Sequence, residues 1–340
     1  MRKIAGPIVG PKARMRPRMM AGVGIAFALA LAGGLAMAQS GYPDKPIRIL
    51  VGFSAGVAPD ITSRLLGDKW TDTWAKGVAV ENVTGAGGNL AVAQVAKAAP
   101  DGYTLAMGGN ASLVINPNLM GKVGYDPVKD FTYITQVFIV PNLLVVPNDV
   151  PAKNIKELIA LAKAKPDYFV AGHAGVGTSQ HLGAELFMSM TGVKIQQVPY
   201  RGTTQVLPDL LGGRLNIFFG NIANVLPLVR EGKLRAFAIT SRKRSPEIPE
   251  LPTMEELGFP GYEATAWFGL MGPAGVPKPI VDRIHDETTK VMAQPEVRKK
   301  LESLGLQLVG NTPAEFLQIV KDELPMWDKV IKNAGIKPPQ

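Results

Sequence analysis

The chain has 340 residues, 46% of them apolar and 7% aromatic, with no cysteine and a formal charge of +9. That length leaves room for two domains, and the lack of thiols excludes disulfides, cysteine-held metals and cysteine nucleophiles. Arg2, Lys3, Lys12, Arg14, Arg16 and Arg18 all precede residue 39, where no acid occurs, so only +3 remains for the rest; this argues against a nucleic-acid partner and suits a small anion.

Residues 21–35 continue this basic segment as an apolar run, and Ala36-Met37-Ala38 closes it. The pattern is that of an export signal over residues 1–38, cleaved after Ala38, with an uncleaved anchor as the alternative. Without cysteine there is no site for a lipid, so a free periplasmic protein is expected. Residues 47–51 then read as a buried strand that ends at Gly52, Gly56 and Pro59, where a helix begins. Small residues, a helix start and free backbone N–H groups make this turn a candidate anion site, with Asp60 at the positive end of the dipole.

A second strand at 78–82 completes β-α-β. Gly85-Ala-Gly-Gly-Asn89 follows, but Leu90 stands where a dinucleotide fingerprint needs glycine, so the run predicts tight helix packing. The turn at Pro100-Asp-Gly102 leads to a strand at 104–108, and the alternation predicts a mainly parallel sheet. Two short strands flanking Pro141, within 137–147, predict a crossing into a second α/β series. That series comprises a helix capped by Asn154 and Glu157, strands at 169–172, 195–198, 215–219 and 234–240, and helices at 178–190, 203–211 and from 222. Thr253 with Glu256 predicts another capped helix, and 264–271 a return crossing. Helices at 279–293 and 296–304, a short strand and a helix opened by Thr312, Pro313 and Glu315 end the chain. The expected domains are 41–140 with 264–340, and 141–263 inserted between the crossings, with a cleft between them.

Several segments, in order, resemble one family: Tyr42-Pro-Asp-Lys-Pro-Ile47, the 53–60 loop, Glu81-Asn82 with 85–89, Ala99-Pro-Asp-Gly-Tyr103, Tyr125-Asp-Pro-Val-Lys-Asp-Phe131, Gly177-Thr-Ser-Gln-His181, Val198-Pro-Tyr200, Asp209-Leu-Leu-Gly-Gly213 and Trp267-Phe-Gly269. Together they look like the extracytoplasmic solute receptors of the tripartite tricarboxylate transporters, the Bug receptors. The resemblance implies a type II periplasmic binding-protein fold, with two α/β domains joined by two crossing strands around a ligand cleft. It also implies a receptor for a small carboxylate, not an enzyme, that needs no cofactor or metal, acts as a monomer and serves integral-membrane transporter subunits.

On that resemblance the ligand-facing stretches are Phe53, Ser54, Ala55, Gly56 and Val57; Asn110, Ala111 and Ser112; His173, Gly177, Thr178 and Ser179; and Arg201, Gly202, Thr203 and Asn221. The chain departs from the family pattern at Gly52 (usually proline), Val57 (glycine), His173 (commonly serine) and Gly220 (commonly aspartate). Each side chain also has a plainer reading. Thr178 and Ser179 either donate to a carboxylate or only cap their helix. His173 contacts the ligand or adds charge when protonated, or else is a satisfied structural histidine. Arg201 pairs with a second carboxylate or sits on the rim, and Trp267 and Phe268 stack on a flat ligand or fill the core. His285 is expected in solvent. Ser179 and His181, two apart on a helix, point away from each other and cannot form a nucleophile–base pair. The rival readings are a secreted hydrolase using Ser54 or Ser179, and a ligand-bound form that signals to a sensor kinase.

Overall fold

A computed structural model describes residues 41–333 with Gly6, Gly335 and Ile336, so the expected export signal lies outside the described residues. The chain divides at Tyr42/Pro43, and every element named here lies in the unit that begins at Pro43. In order these are β1 (Ile47–Val51), α1 (Ala58–Trp74), β2 (Val78–Asn82), α2 (Asn89–Val95), β3 (Thr104–Gly109), α3 (Asn116–Met120), β4 (Phe131–Pro147), α4 (Ile155–Ala164) and β5 (Val170–His173). They continue as α5 (Ser179–Thr191), β6 (Gln196–Pro199), α6 (Thr203–Leu211), β7 (Phe218–Asn221), α7 (Ile222–Arg230), β8 (Leu234–Ile239), β9 (Thr265–Pro273), α8 (Lys278–Ala293), α9 (Pro295–Glu302), β10 (Gln307–Leu308) and α10 (Pro313–Asn333).

The β-α-β units pair in parallel, β1 with β2 and β3, and β5 with β6. The long strands run against them: β9 is antiparallel to β3 and β4, and β4 is antiparallel to β7, β8 and β10. The two short strands expected around Pro141 are one 17-residue strand, β4. Its pairing changes where the sequence suggested a break. Pro141 is the last partner of β9, at Thr265, and from Asn142 the strand pairs with β7. Proline has no N–H to give a ladder, so it marks the handover of partners without ending the strand.

One apolar cluster draws on residues between Leu144 and Ala264, including Phe169, Phe187, Phe219 and Tyr262. Another joins Leu50, Val92, Leu113 and Tyr133 to Trp267, Met271 and Phe316, with Leu182 of α5 reaching into it. Asn154 caps α4 as expected, its side chain accepting from Glu157 N–H at 3.0 Å. Thr253 and Glu256 make the same reciprocal bonds, at 2.8 and 3.1 Å, but only a turn follows, and Gly258 leaves it at φ 97°.

Candidate functional site

The turn after β1 is fixed at both ends by one buried carboxylate. Asp60 accepts hydrogen bonds from Gly56 N–H at 2.9 Å, Arg64 Nε at 3.0 Å and Asn82 Nδ2 at 2.9 Å. Asn82 Nδ2 also donates to Phe53 O at 2.9 Å. Burial works to raise the Asp60 pKa, but the bonds from Arg64, Gly56 and Asn82 outweigh it and hold the carboxyl below its ordinary range. Gly56 N–H is therefore occupied, which corrects the expectation that it is a free donor. The N–H groups of Ser54, Ala55 and Val57 have no partner among the described residues. Gly52 backs onto Gly88, whose Cα would lie 2.5 Å from an added Cβ, so the 85–88 run is a packing turn.

On the other side, the turn at 174–177 enters α5 through Thr178, whose Oγ1 accepts from His181 N–H at 3.4 Å and donates to Gly175 O at 2.7 Å. Gln180 is buried and ties two helix starts together. Its Oε1 accepts from Ala174 N–H, and its Nε2 donates to Thr203 Oγ1, both at 2.8 Å. His173 Nδ1 accepts from Gly175 N–H and His181 Nδ1 from Gly177 N–H, each at 3.3 Å, with ring centroids 4.8 Å apart. A nitrogen that accepts carries no proton. Burial lowers the pKa of His173 to about 4; burial, with the neighbouring His173, lowers that of His181 to about 3. His173 is thus neutral at pH 7 and adds no positive charge.

Between these turns lies a cavity with about 20 Å³ open to the centre of a water-sized sphere, enough for about one water. Phe53, Val57 and Pro59 line it on one side; Ala174, Thr178, Ser179, Gln180, Thr203 and Asn221 line the other. Asn110, Ala111, Ala266 and Phe268 complete the wall. The starts of α1, α5, α6 and α7 converge here, and α1, α6 and α7 have no side-chain cap on their first N–H groups. No charged side chain lines the cavity. Its electrostatics come from helix ends, each equivalent to roughly +0.5 charge, and from neutral donors.

The expected site residues fall into two groups. Phe53, Val57, Asn110, Ala111, Thr178, Ser179, Thr203 and Asn221 line the cavity, and the rest lie outside it. Ala55 and Gly56 are exposed. Ser54 abuts Gly202 across the gap, and Gly177 abuts Asn116, so these contacts join the two sides. Ser112 Oγ is used on Gly109 O at 3.0 Å. Arg201 is exposed and its guanidinium has no partner among the described residues. Trp267 points to the opposite face of β9, where its Nε1 donates to Glu323 at 2.9 Å. Side chains alternate along a strand, so Ala266 and Phe268 face the cavity in its place, with Phe268 edge-on to Phe53 at 5.5 Å. At Gly220 an added Cβ would lie 2.5 Å from Phe218 and Val225, leaving no room for an aspartate. His285 is partly buried, not in solvent, with Nε2 3.2 Å from Asn311 O.

Pro59 and Ala266 were not foreseen, and Ala174 and Gln180 lie in the expected turn at 173–179 and the helix after it without having been singled out. Gln180 had a readable signal, being a polar residue one position into a helix whose start was expected at the cleft. The hydrolase reading finds no pair: Ser179 Oγ donates to Asn142 Oδ1 at 3.4 Å, and both Nδ1 atoms of His173 and His181 are taken by backbone.

Two α/β groups of strands, long shared strands and a cavity of helix starts are the features of a periplasmic binding protein, and the solved structure of the periplasmic binding protein BugD, 34% identical with a TM-score of 0.83 over 88% of this chain and 100% of that one, is similar to this chain. The chain belongs to the tripartite tricarboxylate transporter family receptors, whose family model matches residues 62–336. It is similar to Protein BugT of Bordetella pertussis, with 33% identity over 323 residues, 94% of this chain and 98% of that protein. Rpa4515 of R. palustris, solved with adipate, is 34% identical with a TM-score of 0.84 over 88% of this chain and 100% of that one. MatC (Rpa3494) of Rhodopseudomonas palustris, with bound malate, is 32% identical with a TM-score of 0.81 over 85% and 100%. The family and these neighbours are solute-binding receptors and not enzymes.

Proposed function

We propose that the chain captures a small organic di-, tri- or aromatic carboxylate in the cavity between the two turns and delivers it to a tripartite membrane transporter. The observation that carries this reading is the convergence of α1, α5, α6 and α7 on a cavity without formal charge. Uncapped N–H groups and neutral hydroxyls and amides favour a carboxylate, at about 1.5–3 kcal/mol for each charge-assisted bond. Adipate and malate in the two R. palustris neighbours support the ligand class.

A space for about one water admits such a ligand only if the turns part. In this reading 41–140 with 264–340 forms one lobe and 141–263 the other, with β4 and β9 as the hinge. The ligand favours closure by its differential affinity for the closed form. The protein acts as a periplasmic monomer after loss of residues 1–38. A thermal-shift screen over carboxylates tests this: at a free concentration 100 times Kd a true ligand adds about 2.7 kcal/mol of stability. No shift with any carboxylate would refute it, and turnover of carboxylate esters would return the hydrolase reading.

A further inference from the structure

On the Trp267 side of β9, adjoining the carboxylate cavity at Asn110, which lines both, is a much larger hollow. It has about 410 Å³ of room for water-sized centres, walled by Leu182 and Leu186 of α5 and by Trp327 and Val330 of α10, with Trp267 as its floor. That volume, with apolar walls and few polar groups, is in the range of small-molecule sites. Within it stands Glu323. Its two oxygens accept from Trp267 Nε1 at 2.9 Å each, and one accepts from Trp327 Nε1 at 3.4 Å. No lysine, arginine or histidine pairs with it among the described residues. The one cation in the wall, Arg242, is bound to Glu263 at 2.6 Å.

The lining thus carries two carboxylates against one guanidinium, and the deeper carboxylate has no counter-ion. Glu323 is partly buried, and even a partly desolvated carboxylate without a cation is held at a cost. Its pKa is accordingly raised, chiefly by burial and slightly by Glu263, against the bonds from both tryptophans. The two indole N–H groups fill part of its acceptor capacity and leave lone pairs for another donor.

We propose that this hollow is a second binding site, selective for a small organic ammonium whose apolar body lies against Leu182, Leu186, Trp327 and Val330 while its charged head meets Glu323. The required chemistry is opposite in sign to that of the carboxylate cavity, so the two sites do not compete for one ligand. The proposal does not rest on the carboxylate reading.

The test titrates the full chain with 2-phenylethylammonium at pH 7.5, following calorimetry and the change in tryptophan fluorescence, to which Trp267 and Trp327 of the hollow contribute beside Trp70 and Trp74, and compares the neutral 2-phenylethanol and the anionic 3-phenylpropionate. Saturable binding of the ammonium, with the alcohol at least about tenfold weaker, is expected from one charge-assisted bond. Glu323→Gln keeps a carbonyl acceptor for the indoles and should lose at least about tenfold for the ammonium alone. Leu186→Trp, which fills the hollow from the opposite wall, should weaken it as well and covers the case in which Glu323→Gln fails to fold. Equal binding of ammonium and alcohol, undiminished binding in a folded Glu323→Gln or in Leu186→Trp, or no saturation by the ammonium would overturn the proposal.

Discussion

The two turns that face each other across the cavity are built on different chemistry. The first is held by an ionised carboxylate, Asp60, with Arg64 and Asn82 around it. The second is held by neutral groups, with Gln180, His173 and His181 accepting the backbone N–H groups of 174, 175 and 177. Both leave the cavity itself uncharged. The difference shows that charge in this molecule fixes backbone and stays off the cavity wall, and that the two sides fail under different conditions.

The contrast breaks most severely at Asp60. Asp60→Ala leaves Gly56 N–H without its acceptor, removes one of the two acceptors of the Asn82 amide and takes the carboxylate from Arg64, so denaturant unfolding should show a loss of about 3 kcal/mol, with carboxylate capture abolished. Acid sharpens it. The folded pKa of His173 lies near 4 and of His181 near 3, both below the ordinary 6.5, so the unfolded chain binds more protons in that window. Their contribution is complete above pH 6.5 and is lost as pH falls, by up to about 1.4 kcal/mol per unit for each histidine. Glu185, 3.7 Å from His181 Nε2 and pushed up by burial, works in the opposite direction. Asp60, with its lowered pKa, holds until pH falls below its ordinary 3.8. Melting temperature followed from pH 7 to 4 should therefore fall, and fall less in His173→Asn.

Smaller effects follow at the contacts between the turns. Gly177 has φ 77° and the Asn116 side chain where a Cβ would stand, so Gly177→Ala should cost about 2 kcal/mol by chemical denaturation. Thr178→Ala removes a cap and should cost about 1 kcal/mol. Arg201→Ala should change carboxylate affinity less than about twofold, because the guanidinium stands outside the cavity.

Much of this was legible in the chain because local signals and tertiary packing agree there. The turn after β1, the starts of α5 and α6, the Asn154 cap and the glycine packing at 85–88 all follow from capping and φ preferences within a few residues. What was not legible depends on register and partner choice. After Thr265 the run that became β9 carries no polar side chain and is buried along its length, so nothing in it says whether Trp267 or Phe268 faces the cavity. Pro141 marks a change of partner, which depends on strands some eighty residues away. Asp60 suited a helix start, but its service to Gly56 and Asn82 needed the loop and β2 to meet it.

The most direct test of the central claim, that helix ends and neutral donors grip a carboxylate, is calorimetric titration of the protein with adipate and malate beside their diamides. Saturation by one of the acids near one per chain, with its diamide at least about 100-fold weaker, is the expected result. Equal affinity for acid and amide, or no binding of either acid or any other carboxylate, would contradict it.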